Sequence, residues 1–108
     1  MSELFFLTSD EVNAALARRR AVWLHITLVV LGPADSIPDT GVLVVDWDNV
    51  TDELKQRILA LPPRGSFVVI IHTYNHDLLK LTLDGHPIFV CRTLDQVFEE
   101  LQALRRAA

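Results

Sequence analysis

With 108 residues, half of them apolar and 22% charged, the chain has the makings of one globular domain, 1–108, and not of a disordered segment. Such a length can bury a core without disulfides or metal ions, and the single cysteine, Cys91, rules out an internal disulfide and fits a reducing cytosol. A net charge of −4 leaves no dominant basic face, so nucleic acid is not an expected partner.

Met1-Ser2-Glu3-Leu4 has an early acid and no positive segment, so no signal peptide is expected. Leu4-Phe5-Phe6-Leu7 reads as the first strand. A helix follows, with Thr8 and Glu11 spaced as a capping box and Val12, Ala15 and Leu16 on its inward face. Arg18-Arg19-Arg20 complements the negative end of its dipole. The second strand falls within Val22 to Leu31, an apolar stretch too short to cross a bilayer, and Gly32-Pro33 stops it. Asp35 to Gly41 is loop-like, leaving little room for a full helix before the third strand. That strand, Val42 to Asp46, is a continuous apolar run ending in an acid. A helix starts near Thr51 with Leu54, Ile58 and Leu61 aligned, and Pro62-Pro63 ends it. Phe67 to Ile71 is the fourth strand, Asp77 to Leu83 a short helix with Asn75 or His76 as its cap, and Ile88 to Cys91 the fifth strand. Cys91 reads there as a small core residue. Thr93 and Gln96 then cap a last helix with a stripe of Leu94, Val97, Phe98, Leu101 and Leu104.

Alternating strands and helices imply an α/β protein with a doubly wound, five-stranded parallel sheet in the order 2-1-3-4-5, its second helix shortened or absent. Ligand sites of such sheets lie at the carboxyl ends of the strands, which here gather Thr8, Ser9 and Asp10, then Asp46, Thr73 and Arg92.

This set of strand ends resembles the receiver domain of two-component response regulators over essentially the whole chain. Val44-Val45-Asp46-Trp47 matches the phospho-acceptor segment and Ile70-Ile71-His72-Thr73 the switch threonine, while Arg92-Thr93 stands where that family has Lys-Pro. Thr8-Ser9 occupies the place of the acid pair that holds magnesium, leaving only Asp10 nearby, and Val50 replaces the usual proline after the acceptor. Phosphoryl transfer to a carboxylate needs Mg²⁺ and a lysine against the gathering negative charge. Two hydroxyls cannot replace two carboxylates as ligands to Mg²⁺, and the planar fork of Arg92 would reach a different position from an ammonium. Asp46 and Arg92 could instead pair with each other.

The resemblance therefore implies a degenerate, pseudo-receiver member of a flavodoxin-like class: a non-catalytic, cytoplasmic signalling or scaffolding module that acts on a protein partner, without cofactor, metal or membrane. Its degenerate pocket would comprise Asp46, Thr73, Arg92 and Asp10. In receivers, helix four, strand five and helix five build the dimer face, which would bring in Leu78, Leu79 and Leu83. Trp47 and Tyr74 directly follow the two best-matched positions, as crevice lids, partner anchors or loop packing. Two other functions compete: a phosphorylatable receiver with Asp46 as acceptor, and a sensor holding a small ligand over Asp46.

Asp46-Trp47-Asp48 also looks like the Asp-x-Asp opening of haloacid-dehalogenase-type phosphatases or the acidic strand end of PIN- and NYN-like nucleases. Val50 does not suit the phosphatase motif, and no later strand brings a second carboxylate. Asp48, Asn49 and Asp52 read better as the cap of the following helix. His25 in a strand, His72 at a strand end, and His76 and His86 in loops have no zinc spacing, and the four glycines form no phosphate loop.

Overall fold

Uncharged runs of Val, Ile, Leu and Phe suit strands covered on both faces, and here they lie side by side. The computed structural model describes residues 4–38, 40–60, 68–74, 88–91 and 93–107, with the side chains at 88–90 and 104–107 outside that description. Its strands are β1 (Leu4–Leu7), β2 (Leu28–Leu31), β3 (Val42–Asp46), β4 (Val68–His72) and β5 (Ile88–Cys91). β1 lies between β2 and β3, and β4 between β3 and β5, with every pairing parallel. The helices are α1 (Glu11–Trp23), α2 (Asp52–Leu59) and α3 (Leu94–Ala107), and one 3₁₀ turn, Trp47–Asn49, follows β3. No helix among the described residues is long and apolar enough to cross a membrane. The helix expected over Asp77 to Leu83, with Leu78 and Leu79, lies outside the described residues, as do Leu61, Pro62-Pro63 and Phe67.

Side chains alternate across the sheet and build a core on each face. Leu4, Phe6, Val42, Val44 and Ile70 meet α1 and α3 through Ala17, Ala21, Val97, Phe98 and Leu101. Leu7, Leu43, Val45, Val69 and Ile71 meet Ile58 of α2 on the other. Cys91 belongs to the first core, as its apolar strand suggested.

α1 departs from its expected orientation. Val12 and Leu16 are 67% and 47% exposed, and Ala15 is exposed as well, while Ala14, Ala17 and Ala21 face the sheet. The alanine row also recurs at helical spacing, and its small side chains fit above the bulky Phe6. Its cap is Asp10, not Thr8: the Asp10 carboxylate accepts from the backbone N–H groups of Val12 (2.8 Å) and Asn13 (3.4 Å). The Thr8 hydroxyl is drawn away to the end of the sheet.

The far end of α1 closes in a Schellman arrangement. The Ile26 N–H donates to the Ala21 carbonyl (2.8 Å) and the His25 N–H to that of Val22 (3.2 Å). His25, expected in a strand, sits there at φ 56°, where glycine is the usual residue. The segment from Ala21 to Trp23 is consequently helical, and the second strand is confined to Leu28–Leu31.

Between β2 and β3 the described residues include no helix. Asp35 folds the chain over itself, its carboxylate accepting from the Gly32 N–H (2.6 Å). α2 is capped by Thr51, whose hydroxyl accepts from the Leu54 N–H (3.2 Å), so the capping role expected of Asp48, Asn49 and Asp52 passes to their neighbour. Asp52 lies in the first turn, and Asp48 and Asn49 belong to the 3₁₀ turn. α3 starts on Thr93, whose hydroxyl accepts from the Gln96 N–H (3.1 Å) as the capping box requires.

Candidate functional site

The ends of β3 and β4 are built alike, each a run of four apolar residues finished by a polar one. Register pairs Asp46 with His72 and His72 with Cys91, and paired residues of parallel strands point to the same face. Thr8 follows Leu7, the partner of Val45, and so continues this row on β1. The row caps the core on the α1 and α3 side.

Asp46 is 1% exposed and accepts four hydrogen bonds. Its Oδ2 takes the Thr8 hydroxyl (2.8 Å), the Asn13 amide (2.8 Å) and the Asn49 amide (2.9 Å). Its Oδ1 faces His72 Nδ1 at 3.0 Å. Burial pushes the carboxyl up, but the bonds from His72, Asn13, Thr8 and Asn49 outweigh it and hold its pKa at about 2. The group is therefore an anion whose charge is met by donors. An anion accepts only, so the His72 hydrogen sits on Nδ1.

The surrounding polar groups are committed elsewhere. The Thr8 hydroxyl also accepts from the Asp10 N–H (3.0 Å), and the Asp10 carboxylate caps α1. Ser9 donates both its N–H and its hydroxyl to the Asn49 carbonyl. The Thr73 hydroxyl donates to Asp48 Oδ1 (2.7 Å), and the Tyr74 N–H to Asp48 Oδ2 (2.9 Å). Asp48 thus ties the loop after β3 to the end of β4.

Of the four expected pocket residues, Asp46 and Thr73 are both buried at adjacent strand ends, but Thr73 is bonded to Asp48 and Asp10 to its own helix. Arg92 lies outside the described residues, as do Leu78, Leu79 and Leu83. Tyr74 is 70% exposed and meets the edge of His72 at 5.5 Å. Trp47 is half-buried against the Leu7–Ile71 core, with Lys55 over its ring at 5.5 Å.

Sequence reasoning missed Asn13, Asn49 and His72. Asn13 stands in a helix that it does not favour, a sign that its side chain has other work. His72 could have been paired with Asp46 by laying the two apolar runs side by side.

Magnesium, which the resemblance would place beside Asp46, does not suit these donors. The strand-one end offers hydroxyls that are already bonded, and the neighbouring carboxylates of Asp10 and Asp48 hold backbone groups and Thr73. No group of three or more His, Cys, Asp or Glu side chains among the described residues is placed to hold a metal ion. Compared with protein-family models, curated proteins and solved structures, the chain matches none.

Proposed function

We propose that the chain is a receiver-like module that works by protein contact, and that its strand-end pocket has become a structural clamp. The class would be flavodoxin-like, a five-stranded sheet doubly wound in the order 2-1-3-4-5, of pseudo-receiver type. The four hydrogen bonds that Asp46 accepts, from Thr8, Asn13 and Asn49 on one oxygen and His72 on the other, carry this reading. A carboxylate attacking phosphorus must present a free lone pair beside a cation that neutralises the incoming phosphate. Asp46 spends its oxygens on side chains from the β1–α1 turn, α1, the 3₁₀ turn and β4, and so joins those elements instead.

Two-dimensional amide spectra recorded with acetyl phosphate or beryllofluoride and Mg²⁺ test the proposal. The amides of Thr8, Asp46 and Thr73 should keep their positions. A Mg²⁺-dependent displacement centred on Asp46 would instead establish a working phospho-acceptor.

A further inference from the structure

α1 turns its small side chains inward and its large ones outward. Leu16 is 47%, Val22 75% and Trp23 73% exposed. These three form one wall of a groove of about 570 Å³ between α1 and the start of α3, completed by Arg19, Arg20, Leu94 and Asp95. Arg20 is fixed there, paired with Asp95 at 2.6 Å and stacked on Trp23 at 5.5 Å. A largely exposed tryptophan therefore forms the projecting edge of an apolar recess.

We infer that this face is covered by a second copy of the chain, Trp23 of each protomer entering the groove of the other. A two-fold axis requires a self-complementary patch, and a knob beside a hole meets that requirement. Tryptophan is among the residues enriched as energetic anchors of interfaces.

Charge decides how the copies align. Among the described residues Arg19 of α1, on the groove, has no acidic partner, while Glu99 on α3, one turn beyond the Arg20-paired Asp95, is exposed. Packing α1 against α1 would bring the arginines of the two copies together near the axis. Setting α1 of one copy against the first turns of α3 of the other brings Arg19 toward Glu99, twice over. An anionic membrane would also attract the arginines, but the recess is concave, which fits a protein protrusion better than a lipid surface.

The inference rests on the contact-module reading, yet the two fail separately. A phosphate response at Asp46 removes that reading and leaves the dimer standing, whereas a monomer removes the dimer alone. Sedimentation equilibrium of the full chain should give a dimer at micromolar concentration. Trp23→Ala and Leu16→Asp, both at exposed positions, should weaken it at least a hundredfold while the far-ultraviolet circular dichroism of the folded chain is unchanged. Arg19→Glu and Glu99→Arg should each weaken it about tenfold, and the two together in one chain should restore it. A monomer up to several hundred micromolar, or a dimer indifferent to Trp23→Ala, would overturn the inference. So would failure of the charge reversal to restore association. Binding of a monomeric protein to phosphatidylserine vesicles, or to a synthetic Leu/Glu amphipathic peptide, through Trp23 would assign the face to lipid or to another protein instead.

Discussion

His72 Nδ1 lies 3.0 Å from Asp46 Oδ1, both residues 1% exposed, on neighbouring strands whose register pairs them directly. This contact completes the coordination of Asp46 by hydrogen-bond donors and makes the carboxylate a structural anion.

Replacing Asp46 should therefore damage the fold. Asp46→Asn removes the charge that four donors address and points an amide N–H₂ at one of them. The loss should be about 3 kcal/mol, with the melting temperature lowered by more than about 10 °C. Chemical denaturation followed by far-ultraviolet circular dichroism measures it. A stability within about 0.5 kcal/mol of the parent would mean that the clamp is dispensable.

The same group gives the protein an acid-sensitive component of stability. The folded pKa of Asp46, about 2, lies below its ordinary value of 3.8. The native state therefore binds this proton less readily than the unfolded chain. The resulting stabilisation is complete above the unfolded value and disappears as pH falls through the folded one. It amounts to about 2 kcal/mol. Stability curves of the parent and Asp46→Asn should converge between pH 4 and pH 2, as these two values require.

His25 holds a left-handed conformation at the end of α1 and its side chain is exposed. Glycine takes that conformation without the steric cost that a Cβ carries. His25→Gly should raise stability by about 0.5–1 kcal/mol, net of the greater freedom glycine has in the unfolded chain. Equilibrium unfolding in urea provides the measurement, and a loss of stability would show that the His25 side chain makes an offsetting contribution.

Cys91 lies in the core on the α1 and α3 side, 3% exposed. Burial, followed by the charges of Glu100 and Glu99, pushes its thiol up to about 11. The thiolate is the reactive form, so an aromatic disulfide reagent at neutral pH should label Cys91 only at the rate of unfolding. Rapid labelling of the native protein would place the thiol at the surface.

The parallel α/β architecture was legible because Val42–Val45 and its counterparts are too apolar and too short to be anything but buried strands between helices. Asp46 was equally legible as the end of such a run. The orientation of α1 was not, since Val12-Leu16 and Ala14-Ala17-Ala21 both recur at helical spacing, and only the volume available above Phe6 selects the alanines. The donors to Asp46 were hidden for a different reason: Thr8, Asn13 and His72 lie 38, 33 and 26 residues away, and only strand register brings them together. Asp48 was read with the helix that follows it, whereas the structure gives it to Thr73 across the sheet.

Among the described residues no helix lies between β2 and β3, and β2 is thinly covered. β2 is an edge strand with none of its residues fully buried and Val29 40% exposed, while β3, two strands inward, is buried throughout. Its partly exposed side chains bury less surface against the rest of the sheet than those of β3 do. Amide hydrogens of Leu28–Leu31 should exchange through local opening at a small fraction of the global unfolding free energy, and those of β3 only through complete unfolding. The sheet should therefore come apart from one side, peeling at β2 while the row from Thr8 to His72 stays intact.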